Sequence, residues 1–303
     1  MSIEVFDRAR GLSVEEKVLG GSWVNWAYGT AAGRALVGIG WIQRLISRVV
    51  GRYQSHPVSH SSVENFIREF GINMPEFEVP SDGFETFADF FVRSFKSGAR
   101  SFPKAAGQFG SPAEGRLSVF PIDHTSIPLC IKGVRLPLHE LIDILGDMSE
   151  KFVREFVGGY AWVFRLCPID YHQFHFADSG IPSMSHLRPG LLHSVNPKAQ
   201  EAVPQVFLKN ERQICLFKSD HFGNLMYIEV GALCVGKIQQ RFTPHRRVER
   251  GDSKGLFEFG GSTLILFSQK GRLNPDEDLI SKTNNGVESL VRLGEVIGRA
   301  PAN

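Results

Sequence analysis

The chain has little cysteine and no cysteine pattern. Cys130, Cys167, Cys215 and Cys234 are widely spaced in 303 residues, with no CxxC pair. That argues against a zinc ribbon or a disulfide framework and fits a reducing compartment. Charge of one sign is also missing: 34 Lys+Arg against 32 Asp+Glu leave a net +2, which gives no nucleic-acid signature. The most apolar stretch, Trp23 to Ile42, is broken by Asn25 and Arg34 and is rich in glycine. A spanning helix wants ~20 mostly apolar residues without a central charge, so none is predicted. Met1-Ser2-Ile3-Glu4 carries no basic segment ahead of an apolar core, so no signal peptide is expected. There is no GxxxxGK[ST] loop, no GxGxxG after a strand and no GxSxG elbow. Internal repeats and low-complexity segments are absent as well.

What is present is a folded composition, 42% hydrophobic and 22% charged, with an unusual 24 phenylalanines. The length suits one large domain or two small ones. The first hundred residues read as helical. Trp41, Ile42, Leu45, Ile46, Val49 and Val50 recur at helical spacing, with Arg44, Arg48 and Arg52 four apart on another face. With Trp23, Trp26 and Tyr28 nearby, this segment suits either an anionic membrane interface or a surface helix packed on its own domain. Ser61-x-x-Glu64 reads as a capping box for a helix ending at Gly71. Phe84, Phe87, Phe90 and Phe91 fall on one face of a short helix after a Pro-rich connector.

Past Lys96, Gly and Pro punctuate short apolar runs at Leu117–Phe120, Ala161–Leu166, Ile214–Phe217, Leu225–Val230 and Leu264–Phe267, which predict strands. Helices are expected near Pro137 and over Val287 to about Ile297. The expected fold class is α+β, with a helical region over 1–95 followed by a β-rich catalytic domain over 96–303.

Three segments carry candidate chemistry. Gly261–Ser262 lies in a flexible turn that runs straight into the apolar Leu264–Phe267, with a hydroxyl at the joint. Such a serine can attack the preceding carbonyl, although Gly-Gly-Ser-Thr also occurs in ordinary turns. His172 and His175 sit three apart after a strand and a turn, suited to proton transfer near neutral pH or to purely structural roles. No third-ligand signature accompanies them, and no metal is expected. Glu114 sits at the tip of Ser111-Pro112-Ala113-Glu114-Gly115-Arg116, where a carboxylate is ordinarily solvated. Asn210-Glu211-Arg212 alone reads as a hairpin turn.

Taken in order, these segments resemble the phosphatidylserine decarboxylase family. Phe90-Phe91-Val92-Arg93-Ser94-Phe95-Lys96-Ser97-Gly98-Ala99-Arg100 is similar to FFxRxLKPGAR, and Ser111–Arg116 to SPADGR. Asp170–His175 resembles DYHRFH, with Gly180 fitting the glycine after it. Asn210–Arg212 and Val230–Gly236 have family counterparts, and Lys254-Gly255 through Ser262-Thr263 resembles the KGxExGxFxxGST cleavage segment. Two departures stand out: Glu114 replaces the usual Asp, and Ser97 replaces a frequent Pro.

The resemblance implies a pyruvoyl enzyme made by self-cleavage between Gly261 and Ser262. His175 would be the base for Ser262, Glu114 would orient His175, and His172 would protonate the substrate carbon. The pyruvoyl group, derived from Ser262, would form a Schiff base with phosphatidylserine and release CO2 and phosphatidylethanolamine. It further implies a heterodimer of the two cleavage products, open to further homo-oligomerisation, in peripheral contact with the cytoplasmic face of the membrane. Two other readings stay open: a related decarboxylase of a free amino acid or another headgroup, and a relative that never cleaves because of Glu114.

Overall fold

The computed structural model describes residues 3–301 except 17, 18, 20, 124, 125, 129–134, 144–147, 204, 233–236 and 261, together with all but the side chains of 148–151. Cys130, Cys234, Gly261 and the end of the Val230–Gly236 segment therefore lie outside the described residues.

The fold is α+β. A hairpin of β1 (Ile3–Asp7) and β2 (Leu12–Glu16) precedes α1 (Gly21–Gly29), α2 (Ala31–Val37) and α3 (Gly40–Gln54). Next come α4 (Ser61–Phe70), α5 (Phe87–Phe91), β3 (Gln108–Gly110), β4 (Gly115–Pro121), β5 (Ser126–Pro128) and β6 (Arg135–Pro137). Then α6 (Leu138–Leu141) and α7 (Met148–Phe156) lead to β7 (Tyr160–Leu166), β8 (Gln173–His175), β9 (Gly180–Pro182) and β10 (His186–Arg188). Helices α8 (Pro197–Ala202) and α9 (Val206–Lys209) precede β11 (Arg212–Ser219), β12 (Asn224–Val230), β13 (Ile238–Gln240), β14 (Ser253–Phe257) and β15 (Ser262–Ser268). The chain finishes with β16 (Asn274–Pro275), α10 (Glu277–Asn284), β17 (Glu288–Val291) and β18 (Val296–Arg299).

Nine strands of the main sheet run in the order β10-β11-β12-β15-β7-β4-β17-β1-β2, and β9 adds a tenth beside β11. Strand β15 lies between β12 and β7, and all seven of its residues are buried. A strand covered on both faces reads as an unbroken apolar run, which is why Leu264–Phe267 shows no alternation. A separate sheet, β13-β14-β8, sets the chain entering the 258–261 junction against the histidine segment. Gly255 is required there, because a Cβ would meet the Gln239 carbonyl oxygen at 2.3 Å.

Five apolar runs form strands as expected, within β4, β7, β11, β12 and β15. Helix α4 ends at Gly71 in the left-handed conformation (φ 65°). Several local expectations are overturned. The chain starts as a hairpin, and β1 pairs in parallel with β17, so its first strands belong to the main sheet. The segment Val287 to Ile297 is strand, not helix: β17 pairs with β4 and β1, and Gly294 (φ 76°) turns the chain into β18. Ser61 caps no helix, because a 3-10 turn over Pro57–His60 precedes α4; the capping box in this region is Thr86 with Asp89 on α5. Asn210 is fully buried after α9 and bonds the His193 backbone and the Gly231 carbonyl, so it is a tether and not a hairpin tip.

Candidate active site

The site forms where the N-terminal aromatic cluster meets β15. Helices α4 and α5 bury Phe66, Phe87, Phe90 and Phe91, and Phe259 packs on them from the junction, 5.4 Å from Phe87 and 4.9 Å from Phe91 between ring centroids. Gly260 adopts φ 136°, a conformation that L side chains rarely reach. Ser262 then opens β15 opposite Leu166. It is fully buried, and its Oγ has no hydrogen-bond partner. An unpaired buried hydroxyl costs about 1–3 kcal/mol, so its persistence calls for a reason.

His172 is the second such group. Its backbone carbonyl accepts from Phe257 N–H at 2.9 Å, and its ring lies 4.0 Å from that of Phe91. Nδ1 is 3.0 Å from the Asp170 carbonyl oxygen. A carbonyl only accepts, so Nδ1 carries the proton and Nε2 carries the lone pair. Nε2 is buried and meets no partner at hydrogen-bonding geometry, although the Gly260 backbone bears on the ring and favours its protonated form. Burial dominates and pushes the imidazole down to about 3, so at neutral pH His172 is an uncharged base.

His175 is occupied at both nitrogens. Nδ1 donates to the Gly251 carbonyl at 2.8 Å, and Nε2 accepts from the Tyr171 hydroxyl at 3.0 Å. Burial lowers its pKa too. Glu114 is also occupied. Arg100 grips its carboxylate with Nε at 2.7 Å and Nη2 at 2.9 Å, and Leu293 N–H donates to it at 3.0 Å. Arg100 in turn lies over the Phe95 ring at 4.2 Å, and Phe95 packs on Tyr171 at 4.5 Å. The structure thus brings His172 against the Gly260 backbone; His175 N–H donates to the Pro112 carbonyl at 2.8 Å, beside Glu114, but the Glu114 carboxylate and the His175 ring are separated by Arg100, Phe95 and Tyr171.

Behind the histidine turn lies a buried ionic network that composition alone did not reveal. Arg116 pairs with Glu16 at 2.7 Å and with the Asp170 carboxylate. Arg165 binds Glu16 at 2.9 Å and Glu288, and its Nη1 contacts the Cys167 sulfur at 2.9 Å. Cys167, buried, is pushed up to about 12, so it is an inert thiol here. Asp170 Oδ2 also accepts from Cys167 N–H at 2.6 Å, which fixes the turn that presents His172. Among the described residues, no group of three or more His, Cys, Asp or Glu could hold a metal ion.

A serine hydroxyl and an imidazole nitrogen, both buried and both without a hydrogen-bond partner, thus flank Gly260. A match to the family described as Phosphatidylserine decarboxylase spans residues 87–299. Over 296 residues the chain is 39% identical to a "Phosphatidylserine decarboxylase proenzyme" of Clostridium perfringens (strain SM101 / Type A), covering 98% of this chain and 99% of the relative. The like-named protein of Clostridium novyi (strain NT) is 38% identical with the same coverage, and that of Clostridium beijerinckii is 38% identical over 297 residues, 98% of each chain. The chain belongs to the phosphatidylserine decarboxylase family.

Proposed function

We propose that this enzyme converts phosphatidylserine to phosphatidylethanolamine and CO2 with a pyruvoyl group that it makes from its own Ser262. The observation that carries the reading is that Ser262 Oγ and His172 Nε2, like Thr263 Oγ1 beside Ser262, are buried without a hydrogen-bond partner. Ser262 Oγ attacks the carbonyl carbon of Gly261 as a histidine takes its proton, and the departing amide nitrogen is protonated, leaving an ester. Elimination removes the Cα proton of residue 262 and breaks Cβ–Oγ. Residue 261 then ends in a carboxylate and residue 262 is dehydroalanine. Water displaces its nitrogen as ammonia and leaves a ketone. That ketone supplies an electron sink for the carbanion left when CO2 departs. The strand pairing of residue 262 with Leu166 supports the reading, because it would hold the new chain end in a buried place.

Two histidines can take the Ser262 proton. His172 is supported by its unpartnered Nε2 and by the Gly260 backbone against its ring. His175, to which the family's motifs assign this step with Glu114, must first exchange Tyr171 for Ser262 while Glu114 exchanges Arg100 for the imidazole. Cleavage of His172→Ala against His175→Ala separates the two. Loss only in His175→Ala supports the rearranged site with His172 as the later proton donor; loss in His172→Ala assigns the first step to His172.

The test of the whole reading is denaturing mass analysis. A chain of residues 262–303 bearing a ketone in place of its amine is expected, and Ser262→Ala should remain at 33.8 kDa. Uncut protein after long incubation would sink it. Activity on vesicles against free serine distinguishes a lipid substrate from a soluble amino acid.

A membrane surface is the proposed partner. Among the described residues no helix is long and apolar enough to cross a bilayer. Helix α3 instead buries Gln43 and Ser47 and exposes Trp41 (67%), Leu45, Val49 and Tyr53 in one line, with Arg44, Arg48 and Arg52 exposed beside it. Trp23 and Trp26 of α1 are exposed too. An apolar stripe flanked by arginines fits an anionic interface, which a phosphatidylserine surface provides. Changing the three arginines to Ala should weaken vesicle binding by about 3 kcal/mol, roughly a hundredfold. Undiminished flotation would argue against this face.

A further inference from the structure

Arg93 differs from the other arginines beside the site. Arg100, Arg116 and Arg165 each hold carboxylates. Arg93 is only 3% exposed, yet among the described residues it forms no ion pair. Its guanidinium lies over the rings of Phe77 and Phe90, at 4.5 and 4.7 Å. Nη1 donates to the Phe90 carbonyl at 3.3 Å, and Nη2 donates to the carbonyls of Ile169 and Asp170 at 3.0 and 3.4 Å. Nε is buried without a partner. Burial pushes this group down to about 10, the signature of a charge poorly compensated. Such a cation is expensive to keep in the interior, and its position gives it something to do.

The Asp170 carbonyl that receives Arg93 Nη2 is the one that receives His172 Nδ1–H. We propose that Arg93 is a positioning residue for His172: by sharing that carbonyl it fixes the ring orientation, and its charge adds to burial in opposing a second proton on the ring. The remaining neighbours leave this role to Arg93. Arg116 is matched by Glu16 and by the Asp170 carboxylate; the Asp170 and Glu114 charges also bear on Arg93 without offsetting its burial. Phe91 and Phe259 are uncharged, and the Gly260 backbone and Asp170 carbonyl both favour a proton on the ring. After burial itself, Arg93 is the larger of the two cationic influences that oppose one.

The inference rests on the reading of His172 as a proton-transfer group, and the two can fail separately. If His172→Ala cleaves and turns over normally, that reading is wrong. The Arg93 proposal is judged by imidazole 15N NMR of the full chain held uncut by Ser262→Ala, with the His172 signal assigned by its loss in His172→Gln. A neutral Nδ1–H ring is expected down to about pH 4 with Arg93 or Arg93→Lys, titrating about one unit higher in Arg93→Met. The acid limb of the cleavage-rate profile should move up equally in Arg93→Met with Ser262 intact. Identical titration in the parent and Arg93→Met overturns the proposal. So does an Nε2–H ring in the parent, a result that needs no Arg93 variant to fold.

Discussion

Shortening Glu114 to aspartate removes one methylene and pulls the carboxylate back by about 1.5 Å. In this chain the carboxylate sits 2.7 and 2.9 Å from two nitrogens of Arg100 and 3.0 Å from Leu293 N. Retracted, all three contacts pass beyond hydrogen-bonding distance. Each charge-assisted bond is worth about 1.5–3 kcal/mol, but Arg100 keeps Glu76 at 2.9 Å and the freed carboxylate can be rehydrated. The expected net loss from Glu114→Asp is therefore about 2 kcal/mol. Urea unfolding with Ser262→Ala as the background measures it, since one uncut chain approaches two-state behaviour more closely than two associated pieces. A loss under about 0.5 kcal/mol would refute the view that Glu114 anchors Arg100 and Leu293. With Ser262 intact, cleavage should persist or quicken, because the shorter carboxylate is released from Arg100 toward the role that the family gives its aspartate. A Glu114→Asp chain that folds but does not cleave would show that this protein is tuned to glutamate.

Other expectations follow from the same contacts. After cleavage, residues 262–303 should co-elute with the large piece under native conditions, because β15 lies between β12 and β7, β17 lies between β4 and β1, and Arg8 binds Asp276, Asp278 and Glu295; native size exclusion with denaturing mass analysis checks this. Arg165→Met should cost about 3–5 kcal/mol by urea unfolding, since among the described residues it leaves Glu16 with Arg116 as its remaining cation and Glu288 without its buried partner. Burial pushes His172 down to about 3 from the ordinary histidine value near 6.5, so the unfolded chain binds the extra proton between these values. Stability is full above about pH 6.5 and falls by up to ~1.4 kcal/mol per unit toward pH 3; His172→Phe should flatten that acid slope by one proton, and an unchanged slope would refute the burial argument.

The sequence was most legible where burial is complete. The runs now in β4, β7, β12 and β15 were readable because strands covered on both faces carry continuous apolar residues, while the run in β11 stands out within a strand that is only partly covered. It was least legible where pairing is remote. Strand β1 is five residues long and its parallel partner β17 begins at Glu288, so nothing local marks it as part of the main sheet. The spacing of Leu290, Val291, Leu293 and Ile297 passes for helical until Gly294 turns and β4 claims Ser289–Val291. At the site, residue types were visible and their partners were not. His172 and His175 look alike in sequence; what separates them is that one ring enters the aromatic cluster with a free nitrogen while the other spends both nitrogens on Gly251 and Tyr171.

Helix α3 shows the same limit from the opposite side. Its periodicity announces two faces, and the usual assumption sends the apolar face inward. Here the polar face wins the interior. Gln43 accepts from Leu192 N–H at 2.7 Å, and its amide donates to the Val37 carbonyl and meets His193 Nδ1 at 3.2 Å. Leaving these buried groups unpaired would cost several kcal/mol, whereas leaving Leu45 and Val49 in water costs about 1.5–3 kcal/mol each. The second cost falls away only if something apolar covers the stripe. A lipid surface, the partner proposed above, would give the helix what its own domain does not, and the arginines beside the stripe would favour one that is anionic.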